Sequence, residues 1–371
     1  MIAPKAPLRQ ITRIGHPVKS RAGTMALDRN ERTVDFAPEV LEDLRRLITG
    51  FALRAYPEME AFYEALADWS GFSTDMLLAT DGADGGLHRV FATYVSEGDE
   101  VVVLSPSYAM YPVYGQMYGA TMRTLTFNDR LELPFEQVLA AARPGTRLIA
   151  LVNPNQPIES CYPLEELLQL AQRCAEHDIL LLLDEAYYHF CSITAAPLIR
   201  TFDHVVVARS FSKAFGLAGL RIGYLMAAAP VIKALRALKP IYEINHLNAA
   251  IATYFLQRPQ LMEEYVAAVR RGREVLTAFC GRLGWPIHGQ HSNAALVLLP
   301  PQVSAIRVAA ALADRGWLIR AETQPPIANA LRVTLGPPEQ MQEFCRLLEL
   351  VRREARVLTP PSPRVREEVR G

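Results

Sequence analysis

Short apolar runs alternate with amphipathic segments through the first two thirds of the chain. Continuous apolar runs occupy residues 101–104, 148–152, 179–183 and 205–207, and segments with helical periodicity, such as residues 164–175, separate them. Strands that are apolar at every position are typical of a mainly parallel sheet covered by helices on both faces. The pattern therefore predicts an α/β fold, with the polar residues after each run gathered at the carboxyl edge of the sheet.

The two ends of the chain have a different pattern. Residues 1–36 are rich in Pro, Arg and Gly and show little periodicity, which predicts an irregular N-terminal arm. After a long helical region at 247–279, short strands mix with two helices and indicate a smaller α+β domain. These strands are expected at 295–299, 317–320 and 331–335. We therefore expect an arm (1–36) that joins the small domain, a large domain (37–270), a small C-terminal domain (271–357) and a mobile tail (358–371).

Composition narrows the class of protein further. Half of the 371 residues are apolar, and 39 Lys plus Arg balance 39 Asp plus Glu, so no net field favours nucleic acid or an anionic membrane. Five scattered cysteines without C-x-x-C spacing argue against a disulfide framework or a zinc site, and the eight histidines show no metal-binding pattern. No apolar run reaches the ~18 residues of a membrane span, and the first ten residues lack the apolar stretch of a signal peptide. We expect a cytoplasmic protein, without a metal, that acts on small molecules.

The strongest chemical candidate is a lysine in a polar, glycine-bearing loop that follows an apolar run. Residues 210–223 read SFSKAFGLAGLRIG, and Lys213 is one of few lysines in an arginine-rich chain. Burial or neighbouring cations would free its amine to form an imine with an aldehyde cofactor. Ser210, Ser212 and Arg221 would suit a phosphate. Alone, Lys213 would equally fit a solvated residue of a surface loop.

Other polar segments occur at the expected ends of strands and starts of helices. The run 179–183 leads into Asp184, which places a carboxylate at the carboxyl end of a strand, and Tyr187 follows three residues on. Residues 81–86 (DGADGG) form a glycine-rich turn before a helix, where free backbone N–H groups and the helix dipole favour a phosphate. Residues 105–108 (SPSY) follow another strand. Singly, each also fits an ordinary role as a helix cap, a loop or a core aromatic.

In this order, and over nearly the whole chain, these segments resemble the fold-type I pyridoxal 5'-phosphate (PLP) enzymes, aminotransferases of class I and II. The resemblance implies a large domain with a seven-stranded, mostly parallel sheet and a smaller α+β domain. It implies that Lys213 holds PLP as a Schiff base. Asp184 would pair with the pyridine nitrogen, Tyr187 would hydrogen-bond the ring hydroxyl, and Tyr108 would stack on the ring. The residues implied around the phosphate are Gly82, Ala83, Asp84, Ser210, Ser212 and Arg221.

Within fold type I, the chain is most similar to the histidinol-phosphate aminotransferases and their paralogues. Residues 27–31 (LDRNE) resemble the N-terminal segment of that family, and residues 331–336 (LRVTLG) resemble its C-terminal arginine strand. The resemblance implies that Asn30, Arg320 and Arg332 bind the substrate. The two arginines lie on neighbouring predicted strands, so their guanidiniums could converge on a phosphate monoester or a carboxylate.

Two segments depart from the family pattern. Where the family reads Asn-Pro-Asn-Asn-Pro-Thr-Gly, residues 153–159 read NPNQPIE, so Gln156 replaces the asparagine that contacts the cofactor hydroxyl and the substrate. The longer amide is expected to keep PLP bound while shifting the choice of substrate. Residues 32–35 (RTVD) stand where the family has Asn-Pro-x-Gly, in an arm that lies near the substrate in relatives.

The resemblance implies a PLP-dependent aminotransferase that moves an amino group from an amino acid, with glutamate as the expected donor, to a small, phosphorylated oxo compound. Tyr56, followed by Pro57, matches the position from which the neighbouring subunit's tyrosine reaches the cofactor phosphate, so a homodimer with shared active sites is expected.

Two alternative functions stay open. One is a PLP-dependent decarboxylase resembling threonine-phosphate decarboxylase, because sequence does not reveal which substrate bond stands perpendicular to the ring. The other is a non-catalytic PLP-binding protein, because the 153–159 loop is altered.

Overall fold

The strands of the chain form three sheets in a computed structural model that describes residues 2–3, 5–11 and 21–354. The tail expected at 358–371 lies outside these residues, as do the last residues of the predicted small domain. The strands are β1 (Met25–Ala26), β2 (Leu77–Thr80), β3 (Glu100–Ser105), β4 (Thr121–Thr126), β5 (Thr146–Val152), β6 (Leu180–Asp184), β7 (Val205–Ser210), β8 (Gly223–Ala227), β9 (Ile287–His288), β10 (Ala294–Leu298), β11 (Trp317–Leu318), β12 (Arg320–Glu322) and β13 (Ala330–Thr334).

Helices connect the strands and cover the sheets. The α-helices are α1 (Pro38–Arg46), α2 (Gly50–Arg54), α3 (Glu60–Ser70), α4 (Gly82–Tyr94), α5 (Met110–Met117), α6 (Phe135–Ala141), α7 (Leu164–Ala175), α8 (Ala229–Arg236), α9 (His246–Leu256), α10 (Pro259–Leu283), α11 (Ala305–Ala313) and α12 (Pro338–Arg353). Short 3-10 helices span Ala6–Gln10, Thr74–Met76, Tyr188–Phe190, Ala196–Arg200 and Ala218–Leu220. The helix expected at 164–175 has these same limits.

The largest sheet has seven strands in the order β2-β8-β7-β6-β5-β3-β4. β8 is antiparallel to β2 and β7, and the other neighbouring strands are parallel. The prediction of an α/β fold with a mostly parallel, seven-stranded sheet is therefore confirmed. Every residue of the inner strand β6 is buried, because its side chains alternate between two apolar cores. Leu181 and Leu183 face one core, and Leu180 and Leu182 face the other.

A four-stranded antiparallel sheet, in the order β12-β13-β10-β9, lies in the C-terminal third of the chain. The N-terminal arm is attached to this third. β1 pairs in parallel with β11, and the backbone N–H of Thr334 donates to the carbonyl of Leu27 at 2.9 Å. The division into domains stays a prediction, and these contacts support its first part, an arm that joins the small domain.

Two predicted elements are divided in the structure. The strand expected at 317–320 is two strands, because β11 pairs with the arm whereas β12 pairs with β13, and Ile319 lies between them. The helical region expected at 247–279 is also divided, because α9 ends at Leu256 and α10 begins at Pro259. Proline has no backbone N–H and therefore suits the first position of a helix.

Two features are absent from the described residues. None of the helices among them is both long and apolar enough to cross a membrane. No group of three or more His, Cys, Asp or Glu side chains in the same ranges could hold a metal ion.

Candidate active site

Polar residues gather where the parallel strands of the largest sheet end. β6 ends at Asp184 and β7 at Ser210, and the two ends are adjacent because Asp184 is the ladder partner of Ala208. β5 lies on the other side of β6, which brings the loop at 153–159 to the same edge. This edge thus collects predicted cofactor residues from segments that are far apart in the sequence.

Asp184 is a buried carboxylate with few partners. One oxygen accepts from the backbone N–H of Ala186 at 3.0 Å, and the other accepts from the hydroxyl of Tyr111 at 3.2 Å. The side chain is 4% exposed, and burial raises its pKa to about 6 although both hydrogen bonds act in the opposite direction. Such a carboxylate is stabilised by a cation placed beside it. The geometry therefore suits Asp184 to pair with the protonated ring nitrogen of PLP, as the family resemblance implies.

Lys213 lies beside this carboxylate, close enough to lower the pKa of Asp184. Its Nζ donates to the carbonyl of Arg29 at 3.3 Å and lies 5.6 Å from the centre of the Tyr187 ring. None of the carboxylates in the described ranges forms a salt bridge with it. The amine is therefore held by one weak hydrogen bond, and a carbonyl compound at this edge of the sheet could react with it.

The first turn of α4 lies at the same edge. The sequence predicted a turn at 81–86 ahead of a helix, but α4 already begins at Gly82, so this segment is the helix N-terminus itself. Gly82 has a φ of 81°, and a Cβ there would lie 2.7 Å from a guanidinium nitrogen of Arg221. Because Gly82 has no side chain, the Arg221 guanidinium lies close to the first backbone N–H groups of α4, which have no partner within the helix. A cation beside such free N–H groups is typical of an anion-binding site.

The serines of the lysine loop line the same region. Arg221 lies 3.4 Å from the Oγ of Ser212, and the backbone N–H of Ser212 donates to the Oγ of Ser210 at 3.0 Å. Gly223, at the start of β8, holds the helix close to the sheet, because a Cβ there would lie 2.4 Å from the backbone nitrogen of Ala83. The structure therefore brings together all six residues that were predicted to surround a phosphate.

Asp84 and Tyr108 contact each other in this group. The Tyr108 hydroxyl donates to the Asp84 carboxylate at 2.8 Å, and Tyr114 donates to the same carboxylate. Burial raises the pKa of Tyr108, and Asp84 adds to that effect. A carboxylate only accepts hydrogen bonds, so Asp84 would bind a phosphate through its backbone N–H and not through its side chain. The Tyr108 ring is 38% exposed and packs edge-on against Tyr111.

Gln156 is buried and both ends of its amide have partners. Its Oε1 accepts from the Nδ2 of Asn30 at 3.3 Å, and its Nε2 donates to the Oγ of Ser292 at 2.8 Å. The same Nδ2 of Asn30 donates to the hydroxyl of Tyr187 at 2.9 Å. The amide therefore contacts the arm and the segment before β10, and Asn30, rather than Gln156, contacts Tyr187.

Arg320 and Arg332 face each other across β12 and β13. They are direct ladder partners, and the Nε of each lies 3.2 Å from the Oε1 of Glu322. The Arg332 Nε is buried without a hydrogen-bond partner in the described part of the chain. Burial lowers the pKa of Arg332, and Glu322 opposes that effect. The two guanidiniums converge as predicted, with a carboxylate between them.

Tyr56 is separate from this group. Its ring stacks on Tyr242 at 4.6 Å and is 77% exposed. Phe51, Leu53 and Ile241 are also exposed, and Ile241 is 80% accessible. The structure of one chain thus presents Tyr56 on an apolar surface and gives it no contact with the other predicted site residues.

The site also contains residues that were not predicted, among them Glu322, Tyr111, Tyr114 and Ser292. The sequence could have indicated Glu322, because it follows Arg320 by two positions on a strand and therefore lies on the same face of the sheet. It could also have indicated Tyr111, which follows Tyr108 by three positions, the spacing of one helical turn. It could not have indicated Ser292, because that residue lies in an irregular segment and meets Gln156 only through tertiary folding.

Comparisons with known proteins agree with this geometry. The family model for aminotransferase class I and II matches residues 22–348. Among curated relatives, the histidinol-phosphate aminotransferase of Citrifermentans bemidjiense is 31% identical over 87% of this chain and 90% of its own. That of Geotalea daltonii is 29% identical over 89% of this chain and 93% of its own.

Solved structures give the same result. The chain is similar to histidinol-phosphate aminotransferase from Sinorhizobium meliloti in complex with pyridoxal-5'-phosphate, with a TM-score of 0.85 and 25% identity over 95% of this chain and 98% of that one. It is also similar to aspartate aminotransferase from Thermus thermophilus with maleate, with a TM-score of 0.75 and 25% identity over 90% and 92% of the two chains. The family model spans most of the sequence, and the relatives cover nearly all of it. The chain therefore belongs to the aminotransferase class I and II family.

Proposed function

We propose that this enzyme is a PLP-dependent aminotransferase of the histidinol-phosphate type, with PLP attached to Lys213. The observation that carries the proposal is the meeting of three groups at one edge of the sheet. These are the buried carboxylate of Asp184, the amine of Lys213, and the α4 N-terminus with Arg221 beside it. When bound, PLP supplies an electron sink that stabilises negative charge on the substrate carbon.

The residues around the ring and the phosphate then have distinct tasks. Asp184 holds a proton on the ring nitrogen, because a buried carboxylate favours a cation beside it. The α4 backbone N–H groups, Ser210, Ser212 and Arg221 bind the phosphate dianion. Lys213 would hold PLP through its Nζ and, as the basic group next to Asp184, would carry the proton that leaves the substrate carbon.

The substrate's anionic group is assigned to Arg320 and Arg332. Arg332 supports this assignment, because its buried Nε still has a hydrogen to donate. With Glu322 between them, the two guanidiniums keep one net positive charge. We propose a small anionic oxo compound as acceptor, phosphorylated as in the names of the relatives, and an amino acid such as glutamate as donor. The carboxylate of the donor would neutralise the cluster, and the phosphate dianion of the acceptor would leave one negative charge in excess, so Glu322 would set the balance between the two anions.

A homodimer is part of the proposal. The exposed side chains of Phe51, Leu53, Tyr56 and Ile241 form an apolar surface that favours a second copy of the chain. Tyr56 would then reach the phosphate of the neighbouring site. Sedimentation of the purified enzyme at micromolar concentration should give a dimer. A fully active monomer would remove this part of the proposal.

A product assay tests the reaction itself. The holoenzyme is incubated with glutamate and a set of phosphorylated and carboxylated ketones, and 2-oxoglutarate, the new amine and carbon dioxide are measured. Transamination predicts equal amounts of 2-oxoglutarate and new amine. Release of carbon dioxide from an amino-acid substrate without amino transfer would instead support the decarboxylase alternative.

A further inference from the structure

We propose that Glu159 is a positioning residue that fixes the direction of a buried chain of hydrogen bonds ending at the hydroxyl of Tyr187. The inference rests on the proposed function, together with the role that the family resemblance implies for Tyr187, a hydrogen bond to the ring hydroxyl of PLP. Glu159 lies in the altered 153–159 loop, three positions after Gln156. The proposal gives Gln156 and Glu159, two side chains that depart from the family pattern in this loop, one shared role.

The chain of hydrogen bonds crosses from the largest sheet to the arm. The Ser292 hydroxyl donates to a Glu159 oxygen, and the Gln156 Nε2 donates to that serine at 2.8 Å. The Asn30 Nδ2 donates both to the Gln156 Oε1 at 3.3 Å and to the Tyr187 hydroxyl at 2.9 Å. All five side chains are less than 9% exposed, so water does not offer alternative partners.

A carboxylate at one end sets the direction of every bond. An ionised carboxylate only accepts, so Ser292 has to give its proton to Glu159. The serine oxygen then accepts from Gln156, whose amide must turn its NH₂ toward Ser292 and its oxygen toward Asn30. Asn30 therefore presents its own NH₂, and that group also faces Tyr187. The tyrosine oxygen accepts, which leaves the Tyr187 proton free to be donated.

The other end of this series of hydrogen bonds, at Thr334, is compatible with the same orientation of Asn30. The backbone N–H of Asn30 donates to the Thr334 Oγ1 at 2.9 Å, so the threonine proton is directed to another acceptor. That acceptor is the Asn30 Oδ1, 3.5 Å away. At that distance the contact alone holds the Asn30 amide weakly, so the Glu159 end decides its orientation. The described residues contain no acceptor for the Tyr187 proton, so it is available to an oxygen of the cofactor.

Glu159 itself is held in one position. Its second oxygen accepts from the backbone N–H of His291 at 2.8 Å, and Arg273 lies 3.9 Å away. Both are titratable or charged residues, and the side chain of His291 in turn contacts Cys191. Gly289 leaves the Glu159 side chain room, since a Cβ there would lie 2.7 Å from its Cδ.

The backbone of Glu159 has a φ of 60°, a conformation that favours glycine. A side chain kept in that conformation is expected only where its contacts matter.

The expected effect concerns the ionisation of the bound cofactor. A hydrogen bond from Tyr187 stabilises negative charge on the ring oxygen. The same oxygen would attract the proton on the imine nitrogen at Lys213, so a bond from Tyr187 weakens the hold on that proton and lowers the pH at which it is lost. Losing the bond should therefore raise the pH midpoint of the cofactor's absorbance change, on the order of one unit for a bond to a charged oxygen. This spectral midpoint is measured without substrate and does not depend on turnover.

The experiment compares holoenzyme variants by spectral pH titration. Glu159→Gln keeps the shape but can donate to Ser292 and so reverse the chain, and Glu159→Gly removes the carboxylate where the backbone already suits glycine. Both should raise the midpoint, by no more than Tyr187→Phe does. In a Tyr187→Phe background, the Glu159 changes should add nothing, because they act through that hydroxyl. Glu263→Gln, an exposed carboxylate on α10, is the control and should not move the midpoint.

Each outcome decides the inference. If Tyr187→Phe raises the midpoint and neither Glu159 variant does, Glu159 does not set the direction and the proposed function stands. Additive shifts in the double variants would show that Glu159 acts by another route and would equally overturn the inference. If the unmodified protein binds no PLP at Lys213, or if Tyr187→Phe has no effect, the proposed function or its assignment of Tyr187 fails first. Glu159→Gly loses buried contacts and is expected to unfold at a lower temperature, and a single cooperative transition well above the titration temperature excludes misfolding as the cause of a shift.

Discussion

The two halves of the site are built in different ways. The cofactor half lies at one sheet edge, where Asp184 and Ser210 end adjacent strands and Lys213 follows the second of them. The substrate half is built from pieces about 300 residues apart, since Asn30 bonds to Thr334 and Arg332 lies on the strand that ends there. The first half presents one buried carboxylate with few partners. The second half is a cluster in which Glu322 pairs with both arginines and one net positive charge remains.

This difference indicates which part of the site can change. The cofactor half depends on backbone geometry that only particular residues permit, such as the close approach at Gly82 and Gly223. The substrate half depends on charged side chains whose balance one substitution would alter. We therefore expect substitutions in the cofactor half to abolish activity and substitutions in the substrate half to change selectivity.

The largest effect is expected for Lys213→Ala. Removing the amine eliminates both the covalent attachment of PLP and the proton transfer, so kcat should fall by about 10³-fold or more. Steady-state assays with the best substrate pair measure it. Lys233→Ala, on an exposed position of α8, should retain full activity. Comparable loss in both variants would mean that Lys213 has no special role.

Asp184→Asn should have opposite effects on the two forms of the protein. In the holoenzyme, losing the charge that pairs with the ring should lower kcat by about 10²- to 10³-fold. The cofactor-free protein should become more stable, because a pKa raised from 3.8 to about 6 makes the buried carboxylate cost about 3 kcal/mol at neutral pH. Asparagine can keep both hydrogen-bond partners, since the Tyr111 hydroxyl can also accept.

The sign of the pH dependence follows from the raised pKa. Between about pH 4 and pH 6, the unfolded chain releases this proton before the folded one does, so the Asp184 contribution to stability falls as pH rises. Urea unfolding of the cofactor-free protein at pH 4.5 and 7.5 measures it. The stability gain of Asp184→Asn should be larger at pH 7.5. A gain that is equal at both pH values would contradict the account.

Arg332→Ala should weaken recognition of charged substrates. Losing a charged hydrogen-bond partner costs about 1.5 to 3 kcal/mol, which is roughly ten- to a hundredfold in kcat/KM. The loss should fall on phosphorylated and carboxylated acceptors and be much smaller for uncharged analogues. Equal losses for charged and uncharged analogues would show that Arg332 supports the fold and does not select the substrate.

The smallest effect is expected for Glu322→Gln. The amide can still contact both arginines, but the negative charge beside the incoming anion is removed. The ratio of kcat/KM for a phosphorylated ketone over a carboxylated one should rise by about three- to fivefold. Glu349→Gln, a carboxylate on α12 that pairs with Arg352 and Arg353, is the matched control. A ratio that does not change would remove Glu322 from the selection of the anion.

Much of the fold and the cofactor half could be predicted from the sequence, because continuous apolar runs locate buried strands and polar residues after them share one edge. The limits of the C-terminal strands could not be predicted, since β11 and β12 are separated by pairing with different partners. The partners of Gln156 could not be predicted either. Asn30 and Ser292 lie more than 120 residues away on either side of it, and only the folded chain brings them together.

The most direct test of the account is the location of the cofactor. The holoenzyme is reduced with borohydride, which makes an imine linkage permanent, and is then digested and analysed by mass spectrometry. The account predicts one modified peptide, carrying the mass of reduced PLP on Lys213. A modification on any other lysine, or none in protein that shows the cofactor's absorbance, would contradict it.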